Sequence, residues 1–186
     1  MTKIYCLILL IIFTSCKDKN TINGESDRKI VDNKFSVLIP SSMTKTSGLN
    51  PYTTFEYQNT QDDFYVIVMD ESSDGFSKTV NQKIYDVTPD IKGYYNVILD
   101  HFREETNLKD FRVFDEIFEL DKPEKKITFT MTGIDVTDDY PVYYRYSIIE
   151  SKTTYYQIMS WTNQTNAEKI IPEMNKIINS FKIEEK

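Results

Sequence analysis

Residues 125–161, with the sequence KKITFTMTGIDVTDDYPVYYRYSIIESKTTYYQIMSW, decide the fold because they contain strand-like runs joined by short links. The runs are Lys125–Val136, Pro141–Glu150 and Thr153–Trp161. Along the first run, apolar residues from Ile127 to Met131 alternate with threonines, which predicts a half-buried strand whose threonine face contacts water. Short links between consecutive strands favour antiparallel pairing. We therefore expect an antiparallel meander over this stretch.

Upstream of the meander, further short runs have the alternation of strands. They are Lys29–Val31, Phe35–Ile39, 53–59, 64–70 and 111–120. Both faces of the 64–70 run are apolar, which predicts a central strand covered on both sides. The 111–120 run stays open between strand and helix, because its phenylalanines also fit helical spacing. Residues 71–89 are predicted to be irregular.

A helix is predicted over residues 91–106. Apolar residues from Ile91 to Phe102 fall on one side of a helical wheel, and Asp90 is the expected N-cap. Gly93 is expected to weaken this helix by about 1 kcal/mol relative to Ala.

A second helix is predicted at the end of the chain, where apolar residues from Ile170 to Phe181 recur at intervals of three and four. Asn166 is its expected N-cap, and Pro172 is expected to kink or restart it. Strands at both ends of the domain with a helix between them and one after them predict an α+β fold. In this fold an antiparallel β-sheet has two main helices packed on it.

Composition excludes several classes of protein. The 186 residues carry 22 Lys+Arg and 29 Asp+Glu, a net charge of -7, which argues against a nucleic-acid partner. The chain has 2 Cys and 1 His, too few for a disulfide scaffold or a Cys/His zinc site. We predict no catalytic, cofactor-binding or metal-binding residues, and we expect the protein not to be an enzyme.

The N-terminus reads as a signal. Lys3 precedes an apolar run, Ile4–Phe13, that is too short to span a bilayer. Thr14, Ser15 and Cys16 follow, and polar residues come directly after them.

This segment resembles a bacterial lipoprotein signal, whose cleavage box reads aliphatic, small, small, Cys. The resemblance implies that residues 1–15 are removed, that the Cys16 sulfur is diacylated and that its new amine is acylated. The membrane would then be the partner of the N-terminal lipid, since two or more chains give stable attachment. In lipoproteins, Asp after the lipidated Cys favours inner-membrane retention. Lys17 stands there, so we expect the outer membrane of a Gram-negative bacterium.

Residues 16–28 are predicted to be the lipidated Cys and a flexible tether, and residues 29–186 a single domain. The domain resembles the PsbP-like fold. The resemblance rests on FSVLIP at Phe35–Pro40, YYQIMSW at Tyr155–Trp161 and INSFK at Ile178–Lys182. It implies a binding or assembly module without catalytic activity.

Three features could carry chemistry. His101 lies at the border of the apolar stripe of the 91–106 helix, where a half-exposed helix residue is the expected role. Asp135, Asp138 and Asp139 share one predicted loop, which could bind calcium but lacks the spacing of an EF-hand, so a solvated turn is the better interpretation. Tyrosines cluster on the last two strands as either core or binding surface, and they are Tyr140, Tyr143, Tyr144, Tyr146, Tyr155 and Tyr156.

Two functional hypotheses follow. The first is a lipid-anchored, non-catalytic binding or assembly module of the bacterial cell envelope, with an envelope protein as a partner. The alternative is a periplasm-facing lipoprotein that binds a small ligand or calcium through the 135–139 loop or the tyrosine cluster.

Overall fold

We describe the fold from a computed structural model that covers residues 25–53, 55–104 and 106–184. The strands are β1 (Ser26–Val31), β2 (Phe35–Pro40), β3 (Thr44–Lys45), β4 (Phe55–Asn59), β5 (Phe64–Ser72), β6 (Leu108–Glu119), β7 (Lys125–Asp135), β8 (Tyr140–Glu150), β9 (Thr154–Asn163) and β10 (Lys182–Ile183). The helices are α1 (Ser73–Asn81), α2 (Ile91–Glu104) and α3 (Ala167–Ser180), with a short 3₁₀ turn, Gln164–Asn166, before α3.

A seven-stranded sheet forms the centre of the structure, in the order β3-β4-β5-β9-β8-β7-β6 with antiparallel pairing throughout. The predicted meander is confirmed as β7-β8-β9, and β6 adds to its edge as a strand. The β6–β7 register shifts twice, between Lys109 and Arg112 and between Phe114 and Ile117. Each bulge adds a residue to β6, so phenylalanines with helix-like spacing in the sequence can occupy positions in a strand.

A smaller sheet, β1-β2-β10, packs with α3 against one face of the large sheet. β2 is buried along most of its length, because Phe35, Val37 and Ile39 enter the core. The β1–β2 turn places Asp32 at φ 48° and Asn33 at φ 55°, conformations that Asp and Asn tolerate.

The first strand begins at Ser26, upstream of the predicted start at Lys29. Arg28 donates hydrogen bonds to the Ser36 hydroxyl at 2.8 Å and to the Ser180 carbonyl at 3.2 Å. These hydrogen bonds to residues distant in the sequence hold the polar start of β1 in the sheet. No local sequence pattern predicts such bonds.

Helices α1 and α2 cover part of the opposite face of the large sheet. The predicted α2 is confirmed, and Asp90 caps it by accepting hydrogen bonds from the backbone N–H groups of Lys92 and Gly93 at 3.0 and 2.9 Å. The prediction that residues 71–89 are irregular is wrong over 71–81, where β5 continues to Ser72 and α1 follows it. The N-cap of α1 is Ser72, and its one fully buried residue is Phe76, so it lacks the repeated apolar stripe that identifies longer helices.

Asn166 occupies the predicted N-cap position of α3, but its side chain does not cap the helix. Asn163 instead accepts a capping bond from the backbone N–H of Thr165 at 2.9 Å and starts the 3₁₀ turn ahead of the helix. The helix then continues through Pro172 to Ser180.

The threonine face of β7 does not contact water as predicted. Thr130 is completely buried, and Thr128 is 6% exposed. Thr130 accepts a hydrogen bond from Arg145 at 2.8 Å, and Arg145 also contacts Asn175 of α3. A polar layer beneath α3 therefore satisfies this face in place of water.

Candidate ligand-binding cleft

A cleft of about 670 Å³ lies between α2 and the large sheet, and we call it the α2 cleft. Its floor is formed by Met69, Met159, Gln157 and Tyr146. One wall is the side of α2 that begins at Tyr94. The volume is within the range of roughly 300–1,000 Å³ that is typical of small-molecule sites.

The mouth of the α2 cleft carries large side chains that remain open to solvent. Tyr52 is 88% exposed, Ile84 is 62% exposed and Tyr85 is 40% exposed. These residues come from two loops, one before β4 and one between α1 and α2. Tyrosine and isoleucine at an open rim offer apolar contact area to a ligand without changing the core.

A chain of hydrogen bonds crosses the floor of the cleft. Tyr146 donates to the Gln157 amide oxygen, the Gln157 amide donates to the Tyr94 hydroxyl at 2.6 Å, and Tyr94 donates to a Glu71 carboxylate oxygen at 2.7 Å. All of these bonds run in one direction, so the chain ends on an acceptor. Glu71 itself is exposed at the cleft.

Burial controls the protonation of the two tyrosines in this chain of hydrogen bonds. Desolvation raises the pKa of Tyr94 far above its usual value, and the hydrogen bond to Glu71 and its negative charge raise it further. Burial alone raises the pKa of Tyr146 in the same direction. Both hydroxyls therefore stay protonated at neutral pH, and they act as hydrogen-bond donors in the chain that ends on Glu71.

An aromatic row continues from the floor along the sheet. Tyr65 stacks on Trp161 with ring centroids 5.2 Å apart, Trp161 lies 6.4 Å from Tyr144, and Tyr144 lies 5.6 Å from Phe102 of α2. Burial, with a smaller effect of Asp135, raises the pKa of Tyr144 to about 12. The row extends the apolar character of the cleft beyond its floor.

The predicted tyrosine cluster divides between the faces of the sheet. Tyr144 and Tyr146 lie on the α2 side, and Tyr143 packs against the α3 side, as the alternation along the strand predicts. Tyr155 and Tyr156 are core residues, at 1% and 0% exposed. Most of the cluster is therefore packing. Tyr140 binds the Asp63 carboxylate at 2.5 Å, and Tyr146 is the member that lines the cleft.

His101 lies on α2 at the mouth of the cleft and is exposed. Its ring contacts Phe102 with centroids 6.1 Å apart. The sequence places it at the stripe border, and the structure adds that this border faces the cleft.

The acidic loop does not gather its carboxylates. Asp135 accepts a hydrogen bond from the Thr137 backbone at 2.9 Å, and Asp139 pairs with Lys109 at 3.4 Å. Across the part of the chain that the structure describes, no group of three or more His, Cys, Asp or Glu residues is arranged to hold a metal ion.

The lipid-acceptor residue predicted from the sequence, Cys16, lies outside the described residues, as does the rest of the signal segment. Between residues 25 and 184, leaving aside 54 and 105, no helix has the length and apolar character needed to cross a membrane.

Sequence reasoning missed the hydrogen-bonded chain of the cleft floor. One signal was present: Glu71 follows Ile67 and Met69 at intervals of two, so it places a carboxylate at the end of an apolar strand face. Tyr94 lies in the apolar stripe between Ile91 and Phe102, a pattern that predicts a core position and no polar role. Its polar partners Glu71 and Gln157 are distant in sequence, and their proximity depends on the β5–β9 pairing.

No family model matches this chain, and no curated protein matches it by sequence. Solved structures do resemble it. The solution structure of the cyanobacterial PsbP protein CyanoP from Synechocystis sp. PCC 6803 is 11% identical with a TM-score of 0.55, covering 92% of this chain and 98% of that chain. A Pseudomonas aeruginosa protein of unknown function, PA94, is 11% identical with a TM-score of 0.48, covering 84% of this chain and 96% of that chain. The likeness to CyanoP shows the fold alone: this chain has the PsbP-like fold that its sequence predicts.

Proposed function

We propose that this protein is a lipid-anchored, non-catalytic binding module of the bacterial cell envelope, and that the α2 cleft is its ligand site. The cleft is the observation that carries the proposal. It combines a partly enclosed volume of about 670 Å³ with a rim whose Tyr52 and Ile84 are more than half exposed. A pre-formed cleft with apolar side chains at its mouth is typical of a small-molecule site, and a PsbP-like fold can carry such a site on its sheet.

The anchoring part of the proposal rests on Cys16 and the residues before it. Acylation there would hold the domain at the membrane, and Lys17 supports the outer membrane as the location. The charge of the chain, -7, gives the domain no electrostatic attraction to an anionic lipid surface, so the lipid would be the attachment.

The calcium alternative receives no support from the 135–139 loop, because Asp135 and Asp139 are occupied in separate interactions. The binding of a small ligand, the other part of the alternative, becomes part of the leading proposal, because the cleft has a size that suits a small molecule. We include among the ligands a side chain or a modified terminus that an envelope protein inserts at the same rim.

The cleft is tested by photocrosslinking in the living cell. A photoreactive residue replaces Ile84 at the rim, and in a matched control it replaces Ile30 of β1, which is 65% exposed and lies outside the cleft. Mass spectrometry of the full-length protein should find a specific adduct at position 84 and none at position 30. Equal adducts at both positions, or none at 84, would contradict the cleft as the ligand site.

The anchor is tested separately by detergent-phase partitioning. Wild-type protein should enter the detergent phase with an N-terminus at Cys16 carrying acyl mass, whereas Cys16→Ser should leave the precursor unprocessed or the protein in the aqueous phase. Wild-type protein found in the aqueous phase with an unmodified N-terminus would refute lipid anchoring. This result would leave the cleft test intact.

A further inference from the structure

We infer that the α2 cleft binds a small organic cation, a protonated amine or quaternary ammonium group attached to an apolar or aromatic body. The inference deepens the proposed function and rests on it, since it names the class of ligand for the same cleft. Its support comes from the charge of the lining, the direction of the hydrogen bonds on the floor and the side chains at the rim.

The lining of the cleft is acidic. Glu71, Asp86, Asp100 and Glu104 contribute carboxylates, and none of the described lining residues is a Lys or an Arg. Arg103 pairs with Asp100 at 3.0 Å and offsets that charge. The remaining carboxylates leave the lining negative, and a partly enclosed space with low-dielectric walls concentrates such a field.

The direction of the floor hydrogen bonds favours a ligand that donates. Tyr146 donates its hydroxyl proton to Gln157, and Tyr94 donates its hydroxyl proton to Glu71. Neither hydroxyl proton is therefore available to a ligand acceptor such as a carboxylate or phosphate. The chain of hydrogen bonds ends at the Glu71 carboxylate, which can accept further hydrogen bonds and prefers a charged donor.

The rim favours a cation with an apolar body. Tyr52 and Tyr85 expose aromatic rings, whose faces attract ammonium groups, and Ile84 adds apolar area beside them. A small hydrated metal ion would leave these contacts unused. An ammonium group on an aromatic or aliphatic body would use the carboxylate and the rim together.

The size of the cleft favours a small molecule over a polypeptide. A volume of about 670 Å³ accommodates a drug-sized compound and is closed on the floor by the sheet. A basic peptide would have to lie across the mouth with most of its length outside.

The test uses probes that share a size and differ in charge: 2-phenylethylamine, 2-phenylethanol and 3-phenylpropionate. Isothermal titration of the full mature chain in neutral detergent, with empty micelles as the blank, should give the tightest binding for the amine. We expect the amine to bind about tenfold more tightly than the alcohol, the effect of one charge-assisted hydrogen bond, and the carboxylate to bind more weakly than either.

Variants assign the preference to the cleft. Glu71→Gln keeps an acceptor for Tyr94 and removes the charge, so the amine should lose about tenfold in affinity and the alcohol should change little. Glu116→Gln is the matched control, because Glu116 accepts from Tyr95 in the same way outside the cleft. That variant should bind all of the probes as the wild type does.

Several outcomes would overturn the inference. Equal affinities for the probes, tighter binding of the alcohol or the carboxylate, or no effect of Glu71→Gln would each refute the organic cation. A tetralysine peptide that binds more tightly than the amine would assign the cleft to a basic polypeptide instead. If any of these outcomes occurs while the photoreactive residue at position 84 still forms its specific adduct in cells, the proposed class of ligand is wrong. The proposal that the α2 cleft is a ligand site is then retained.

Discussion

Replacing Gly93 of α2 with alanine is expected to destabilise the protein, although helix propensity alone predicts a gain. The expected gain from glycine to alanine in a helix is about 1 kcal/mol. Gly93 is buried where α2 begins, and a Cβ added there would lie 1.8 Å from the Thr88 carbonyl oxygen and 2.8 Å from the Thr88 carbonyl carbon. Carbon atoms in contact normally stay about 3.5–4.0 Å apart.

The clash has to be relieved by moving backbone. Thr88 cannot rotate its carbonyl away as a side chain could, and the segment is held by Asp90, whose carbonyl accepts from the Tyr94 N–H at 2.9 Å. Overpacking of this kind costs typically about 1–3 kcal/mol, and a backbone oxygen belongs at the upper end. After the propensity gain of about 1 kcal/mol, the net loss should be about 2 kcal/mol.

Thermal and urea unfolding measure this loss. For a chain of this size about 2 kcal/mol corresponds to a fall in Tm of about 4–8 °C. Gly75→Ala in α1 is the matched control, because its Cβ would meet the nearest atom, the Ser72 Cβ, at an ordinary 3.5 Å. That variant should be stabilised by up to about 1 kcal/mol. If Gly93→Ala is as stable as the wild type or more stable, the close approach of Thr88 to α2 is refuted.

Further predictions concern the cleft floor, alkaline pH and the start of the domain. Tyr146→Phe should lower the free energy of unfolding by about 1–3 kcal/mol in urea titrations, because it leaves the Gln157 amide oxygen without its donor; an unchanged midpoint would show that the bond contributes nothing. The contribution of the buried tyrosines to stability should be constant below about pH 10, where unfolded tyrosines begin to ionise, and should fall as the pH rises further, by up to about 1.4 kcal/mol per pH unit for each buried tyrosine. The sign follows because burial raises the pKa of Tyr144 to about 12 and also raises the pKa of Tyr94, so the folded state keeps protons that the unfolded state loses. The tyrosinate absorbance that Tyr144→Phe removes from the wild-type signal should therefore appear together with unfolding, and its appearance in folded protein near pH 10 would contradict the burial of this ring. A chain starting at Lys29 should still fold but be about 1–3 kcal/mol less stable than one starting at residue 25, because it lacks the Arg28 hydrogen bonds; equal urea midpoints would exclude a role for that segment.

The amino-acid sequence by itself determined the elements whose signal is local. Alternation along β7, β8 and β9 and the short links between them predict the meander, because strand formation depends on residues two positions apart. The stripe from Ile91 to Phe102 and its Asp90 cap predict α2, because a helix face depends on residues three and four positions apart. These local signals were sufficient for the α+β fold, and the likeness to CyanoP agrees with it.

Only the tertiary structure decided the rest, because the deciding contacts join residues that are far apart in the chain. The cleft floor requires Glu71, Tyr94 and Gln157 to meet, and the β5–β9 pairing and the packing of α2 bring them together. The burial of Thr130 likewise depends on Arg145 and on the position of α3, so a threonine pattern that is normally solvated becomes part of the interior. Periodicity states which residues share a face of an element, whereas what covers that face is fixed by packing over the whole molecule.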